Sequence, residues 1–279
     1  MPALPQTSQV KTHTRPQVIS IPETTSPPFP AQPHLRPYYD ALFAAHGPQH
    51  WWPGRTPFEI IVGAILVQNT SWTNVAPAIE NLRRAKLLTP RAIENVPTRR
   101  LTRLIRPSGY FRQKTKKLKS FVYFLRSEYQ GSLAKMFLAP TPTLRDQLLA
   151  VHGIGPETAD SILLYAAKHP VFVVDAYTRR LLERHRLANP GLDYEQVQKL
   201  FEQSLSPDVA LYNEFHALIV HTGKHFCRPR NPRCGECPLK SLLPITQPEQ
   251  GVTLSIGSTS RPLTEPLSQL SPERTLAAT

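Results

Sequence analysis

The stretch Leu148-Leu149-Ala150-Val151-His152-Gly153-Ile154-Gly155-Pro156-Glu157-Thr158-Ala159-Asp160 constrains this chain more than any other. Gly153 and Gly155 can take φ > 0 and leave backbone N–H groups uncovered. Pro156 suits the first position of a new helix, where its missing N–H costs nothing. Ala159, Ile162, Leu163 and Ala166 then recur at helical spacing and form one apolar face. The segment therefore predicts helix, tight turn, helix. The start of the second helix offers free amides and a positive dipole end, which suits a phosphate. No Lys-Ser/Thr pair or GxGxxG adjoins the turn, which argues against a nucleotide-phosphate loop. Shortly afterwards Pro170-Val171-Phe172-Val173-Val174 runs apolar and extended and delivers one carboxylate, Asp175.

Helical patterns dominate the middle of the chain: Pro57 to Val67, Val75 to Lys86, Arg112 to Ser127, Thr143 to Val151, Pro156 to Lys168, Ala176 to Arg186, Tyr194 to Ser204 and Val209 to His221. Pro170 to Val174 is the one strand-like run. A single strand has no partner, so it is expected to be an extended connector in an all-α fold. Residues 1–33 and 246–279 are rich in polar residues and proline without periodicity, and are expected to be disordered tails. A folded domain is expected over 34–245.

Lysine and arginine exceed aspartate and glutamate, 33 against 20. That excess suits a polyanionic partner, although a merely solvated basic surface has the same composition. No apolar run approaches the roughly 18 residues needed to span a bilayer. No secretory-type apolar segment opens the chain, so a cytoplasmic location is expected. The cysteines, Cys227, Cys234 and Cys237, are clustered, which argues for metal rather than disulfides.

The hairpin Val151–Ala159, the Val174-Asp175 pair behind it and the cysteine cluster together resemble the helix-hairpin-helix DNA glycosylases, the endonuclease III-like enzymes of base-excision repair. The resemblance runs from about His34 to Pro244. Trp51-Trp52-Pro53, Gln68-Asn69-Thr70, Pro107-Ser108-Gly109-Tyr110 and Gly153-Ile154-Gly155-x-Glu157 are most similar to the 3-methyladenine branch. The resemblance implies two helical lobes, one over about 55–168 and the other joining 34–54 to 169–244. It implies a cleft between them that holds Asp175, with Gln68 at its rim.

The resemblance also implies roles. Asp175 would assist cleavage of the base–sugar bond, because departure of a base leaves an oxocarbenium-like sugar that a nearby anion stabilises. As an N-cap, aspartate would stand there for structural reasons too. Members of the superfamily that also cut the strand carry a lysine where this chain has Glu157, and a carboxylate forms no Schiff base. The sequence therefore resembles a monofunctional glycosylase with water as nucleophile. Gly153, Ile154, Gly155 and Thr158 would bind duplex DNA, and Gln68 would fill the gap left by an extruded nucleotide. Trp51, Trp52, Pro53, Trp72 and Tyr110 would line a pocket for a methylated, cationic purine. Cys227-x6-Cys234-x2-Cys237 matches three ligands of the family's [4Fe–4S] loop, and Leu243 stands at the fourth position, which predicts either a weakly held cluster or none. The protein is expected to act as a monomer on duplex DNA bearing a damaged base. A bifunctional endonuclease III-type glycosylase-lyase and a non-catalytic hairpin DNA-binding protein are the alternatives.

Overall fold

The structure, a computed structural model, describes residues 29–30 and 33–244. The expected tails therefore lie almost wholly outside the described residues. Residues 33–244 fall within one compact unit. No strand occurs among them, so the fold is all-α.

The central helix, α2 (Pro57–Leu66), is apolar apart from Glu59, which pairs with Arg83 at 2.7 Å, and every residue from Phe58 to Leu66 is buried. A helix of that kind is stable only when neighbours cover it on all sides. Thr56 caps it by accepting from the Glu59 N–H, and Pro57 supplies the preset first turn. After Gln68–Ser71, α3 (Trp72–Arg84) buries the stripe Val75, Ala78, Ile79 and Leu82. Gly63 explains how closely the two elements meet. A Cβ on Gly63 would lie 3.2 Å from the Trp52 Nε1 and from the Trp72 ring. Glycine in mid-helix is thus required by packing, despite its cost of roughly 1 kcal/mol there.

Three short elements that the sequence reading missed complete this region together with α6 (Phe111–Tyr129). They are α4 (Pro90–Asn95), α5 (Thr98–Leu104) and α7 (Leu133–Phe137). Then α8 (Thr141–Ala150) and α9 (Pro156–Ser161) flank the hairpin. The expected single helix over Pro156–Lys168 is interrupted: α9 passes into a π-helical turn, Ile162–Ala167, that ends at Lys168 with φ +62°. Turns of this type cluster at functional sites.

The remaining elements are α1 (Arg36–His46), which the sequence reading also missed, α10 (Ala176–Arg184), α11 (Tyr194–Ser204) and α12 (Val209–His225). α12 packs on α1, α10 and the π turn, while α2 packs on α3, α6, α9 and the same turn. The connector before α10 behaves as expected. Val171–Val174 is buried without a ladder, so side chains take the place of a neighbouring strand. Glu202 accepts from the Phe172 N–H at 3.0 Å, Gln198 donates to the Phe172 carbonyl at 2.7 Å, and the Tyr194 hydroxyl accepts from the Val174 N–H at 3.2 Å. Buried backbone groups need such partners wherever secondary structure provides none.

Candidate active site and nucleic-acid interface

Asp175 is the N-cap of α10, and the connector above fixes the direction from which it enters. Its Oδ1 accepts from the Thr178 N–H at 2.8 Å and from the Thr178 hydroxyl at 2.9 Å. Its Oδ2 stands 3.5 Å from the Nε2 of His216, on α12. Burial pushes the Asp175 pKa up, but His216 and the Thr178 bonds outweigh it and hold the carboxyl below its ordinary value. The side chain is 12% exposed, so this is an ionised carboxylate largely removed from water.

His216 and its partner Tyr165 are functional candidates that the sequence reading missed. The Tyr165 hydroxyl lies 2.6 Å from the His216 Nδ1, and both residues are buried. Tyr165 belongs to the π turn and packs against Trp52 with ring centroids 5.1 Å apart. Trp52 in turn meets Trp51 at 5.5 Å and Trp72 at 5.4 Å. A continuous line of rings thus runs from the three tryptophans to the histidine beside Asp175. The indole N–H of Trp52 is buried without a hydrogen-bond partner, while that of Trp51 is directed at the Tyr165 hydroxyl. Pro53 is exposed next to them. Tyr110 is not part of this set. It is 64% exposed at the start of α6 and makes no ring contact with a tryptophan, because Arg106–Gly109 turns the chain outward there.

A cleft of about 460 Å³ is lined by Gln68, Lys117, Gly153, Gly155, Glu157 and Thr158, among others. Gly153 sits at φ +83° against the Lys117 stem. Among the described residues the N–H groups of Gly153 and Gly155 have no backbone partner, so they stand free at the turn. Gln68 is fastened to the hairpin. Its amide donates to the Gly153 carbonyl at 3.1 Å and to the Thr158 hydroxyl at 2.8 Å, and its Oε1 accepts from the Lys117 ammonium. Ile154 is buried and packs into the core, and the Thr158 hydroxyl accepts from the Gln68 amide. Glu157, in the first turn of α9, has its pKa raised by crowding and then by Asp175, with His216 opposing; its exposure to water damps the shift.

Cys227, Cys234 and Cys237 line one small cavity with His185 and Leu243. The Arg184 Nη1 lies 3.2 Å from the Cys227 Sγ. Burial raises the Cys237 pKa, which is raised further by the two neighbouring cysteines. Among the described residues no three His, Cys, Asp or Glu side chains converge as ligands of a single ion. The three thiols share a cavity without being gathered around one ion, and thiolates are the ligand type that an iron-sulfur cluster requires. Leu243 offers no fourth donor. His221 and His225 do not line this cavity; the His221 ring packs at a tilt against both His46 and His225.

This architecture agrees with the HhH-GPD superfamily of base excision DNA repair proteins, which matches residues 62–207. A Methanocaldococcus jannaschii protein named as a DNA repair glycosylase is 45% identical over 206 residues, covering 73% of this chain and 93% of that protein. The chain belongs to the HhH-GPD superfamily. It is a DNA glycosylase of base excision repair, an enzyme that hydrolyses N-glycosidic bonds. Residues 227–242 match the iron-sulfur binding domain of endonuclease III. The endonuclease III of Thermotoga maritima is 27% identical over 188 residues, covering 66% of this chain and 81% of that protein. Among solved structures, the Helicobacter pylori 3-methyladenine DNA glycosylase bound to 1,N6-ethenoadenine has a TM-score of 0.58 at 30% identity, covering 67% of this chain and 96% of that one. An endonuclease III–DNA complex, with a TM-score of 0.65 at 23% identity over 75% of this chain and 93% of that one, shares the HhH-GPD fold. No helix among the described residues is long and apolar enough to cross a membrane.

Proposed function

We propose that this HhH-GPD protein is a monofunctional glycosylase that releases alkylated bases of the 3-methyladenine type from duplex DNA. The observation that carries the reading is the Asp175 carboxylate, ionised, nearly buried and joined through His216 and Tyr165 to three tryptophans. A methylated adenine is cationic and leaves readily, so its pocket needs aromatic faces and negative charge more than a strong acid. The H. pylori relative is named for 3-methyladenine and holds an alkylated adenine, which supports the same substrate class. Asp175 stabilises the developing sugar cation, and its position allows it to orient or deprotonate the attacking water. In this reading the two lobes meet at the cleft, and the free hairpin amides of Gly153 and Gly155 take a DNA phosphate. Gln68 leaves its hairpin bonds to fill the space of the flipped nucleotide. Cys227, Cys234 and Cys237 would hold the iron-sulfur cluster. Bound there, it would pin the loop after α12.

A second reading, a glycosylase-lyase of endonuclease III type, is favoured by Lys117, whose amine lies in the cleft beside Gln68. The deciding experiment incubates the full chain with methylated duplex DNA and scores base release and strand cutting separately. Base release with strands left intact until alkali is added is the expected result. Borohydride trapping of a covalent adduct, lost in Lys117→Ala, would favour the second reading instead.

A further inference from the structure

We propose that His216, held by Tyr165, is a positioning residue for Asp175: it supplies the second carboxylate oxygen with the donor that Thr178 supplies to the first. This rests on Asp175 being the catalytic carboxylate. Oδ1 of Asp175 is saturated by two Thr178 donors, both under 3 Å. Oδ2 faces the Nε2 of His216 at 3.5 Å, just beyond hydrogen-bond length. That nitrogen is buried and has no hydrogen-bond partner, so its donor has nowhere else to go. The other ring nitrogen is fixed at 2.6 Å by the Tyr165 hydroxyl. When Tyr165 donates to Nδ1, the imidazole carries its proton on Nε2, aimed at Asp175. A protonated imidazole presents the same N–H. In either state the pair holds Oδ2 in place and favours the charged carboxylate.

Two features make the arrangement more than core packing. Tyr165 lies in the π turn and His216 on α12, so two elements packed on each other are needed to build it. The same tyrosine touches Trp52, which links the carboxylate to the ring set where a base would sit.

The prediction concerns the pH dependence of base release. The titratable groups that face Asp175 are Glu157 from α9, Tyr165 from the π turn, His216 from α12 and Tyr177 on its own helix. Glu157 and Tyr177 are unchanged in every variant below, so differences between variants report the His216–Tyr165 pair. Single-turnover base release from methylated duplex DNA is measured between pH 4 and 9 for the full-length wild type, His216→Ala, His216→Gln, Tyr165→Phe and Asp175→Asn. Binding to abasic duplex is measured alongside as a check on folding.

His216→Ala leaves the burial of Asp175 unopposed and is expected to bring the acid limb up into the measured range, losing several-fold in rate at pH 4 relative to wild type and little at pH 8. Tyr165→Phe keeps the ring packing but frees the imidazole, and should move the limb the same way by less. His216→Gln keeps an N–H donor and should recover part of the rate. If His216→Ala fails to bind abasic DNA, His216→Gln and Tyr165→Phe decide. An unmoved limb in these variants, or a loss uniform across pH, overturns the proposal when Asp175→Asn is inactive. Full activity of Asp175→Asn would instead overturn the catalytic assignment beneath it, and the role of His216 with it.

Discussion

Replacing Asp175 by asparagine isolates the charge from everything else the residue does. Asparagine keeps an oxygen for the Thr178 N–H and hydroxyl, now bonded at 2.8 and 2.9 Å, so the cap of α10 survives. What disappears is a negative charge on a side chain only 12% exposed. A full cation about 4 Å from that charge, at an effective dielectric of about 20, is stabilised by about 4 kcal/mol. Each 1.36 kcal/mol is tenfold in rate, and the sugar carries only part of a charge at the transition state. The expected loss is therefore about 10²- to 10³-fold in single-turnover base release. Binding to abasic duplex, which does not use this charge, should stay within about threefold of wild type. Asp175→Ala should be as inactive and also less stable, by about 1 kcal/mol, because it removes the cap. The pH dependence of stability gives a second check. The folded-state pKa of Asp175 lies below its unfolded value, so its contribution is complete above the unfolded value and is lost as pH falls through the folded one. Asp175→Asn should lack that acid loss. An Asp175→Asn variant that releases bases at a rate within threefold of wild type would refute the electrostatic argument.

Asp160 is fully buried, bidentate to Arg145 at 2.7 and 3.1 Å and bonded by Gln198 at 2.8 Å. Asp160→Ala leaves the half-buried Arg145 with only Glu195, at 3.4 Å, and should cost about 3 kcal/mol in denaturant unfolding; a loss below about 1 kcal/mol would contradict this. Lys114 is buried with its amine donating to the Ser108 carbonyl at 2.6 Å, and burial, then Lys117, lower its pKa to about 8. Between that value and the unfolded one the unfolded chain binds more protons, so wild-type stability should gain from Lys114 as pH rises from about 8 to 10. The Tm difference between Lys114→Met and wild type should change across that range, and a constant difference would count against the burial argument. Leu243 lines the cysteine cavity, so Leu243→Cys should raise bound iron and slow bleaching of the cluster absorbance in air, whereas unchanged iron content would show that position 243 does not face the cluster.

The parts of this molecule that sequence revealed are those in which cause and effect lie close together along the chain. Gly153, Gly155 and Pro156 impose their turn within a few residues, and Asp175 caps the helix that starts beside it. α2 was visible because a run that is apolar except for Glu59 leaves little choice but a buried helix. The short helices α4, α5 and α7 have 6, 7 and 5 residues, too few for a period to register. α1 did carry a signal: Leu35, Tyr38 and Leu42 share one face and are all buried, but Pro37 and the neighbouring proline-rich stretch masked it.

The site divides along the same line. Tyr110 follows a glycine turn, as a pocket residue does in the pattern it resembles, yet the chain turns outward at Arg106–Gly109 and leaves it on the surface. Tyr165 and His216 are 51 residues apart, and each reads alone as an ordinary member of an apolar helix. Only the packing of the π turn on α12 brings them together, and only the connector into α10 places Asp175 at the end of their line. The carboxylate is thus a local invention of the sequence, while the surroundings that keep it charged out of water are a property of the tertiary fold. The charge state of Asp175 therefore depends on helices far from it in sequence. Substitutions at Tyr165 or His216 should alter the pH dependence of base release while leaving binding to abasic duplex unchanged.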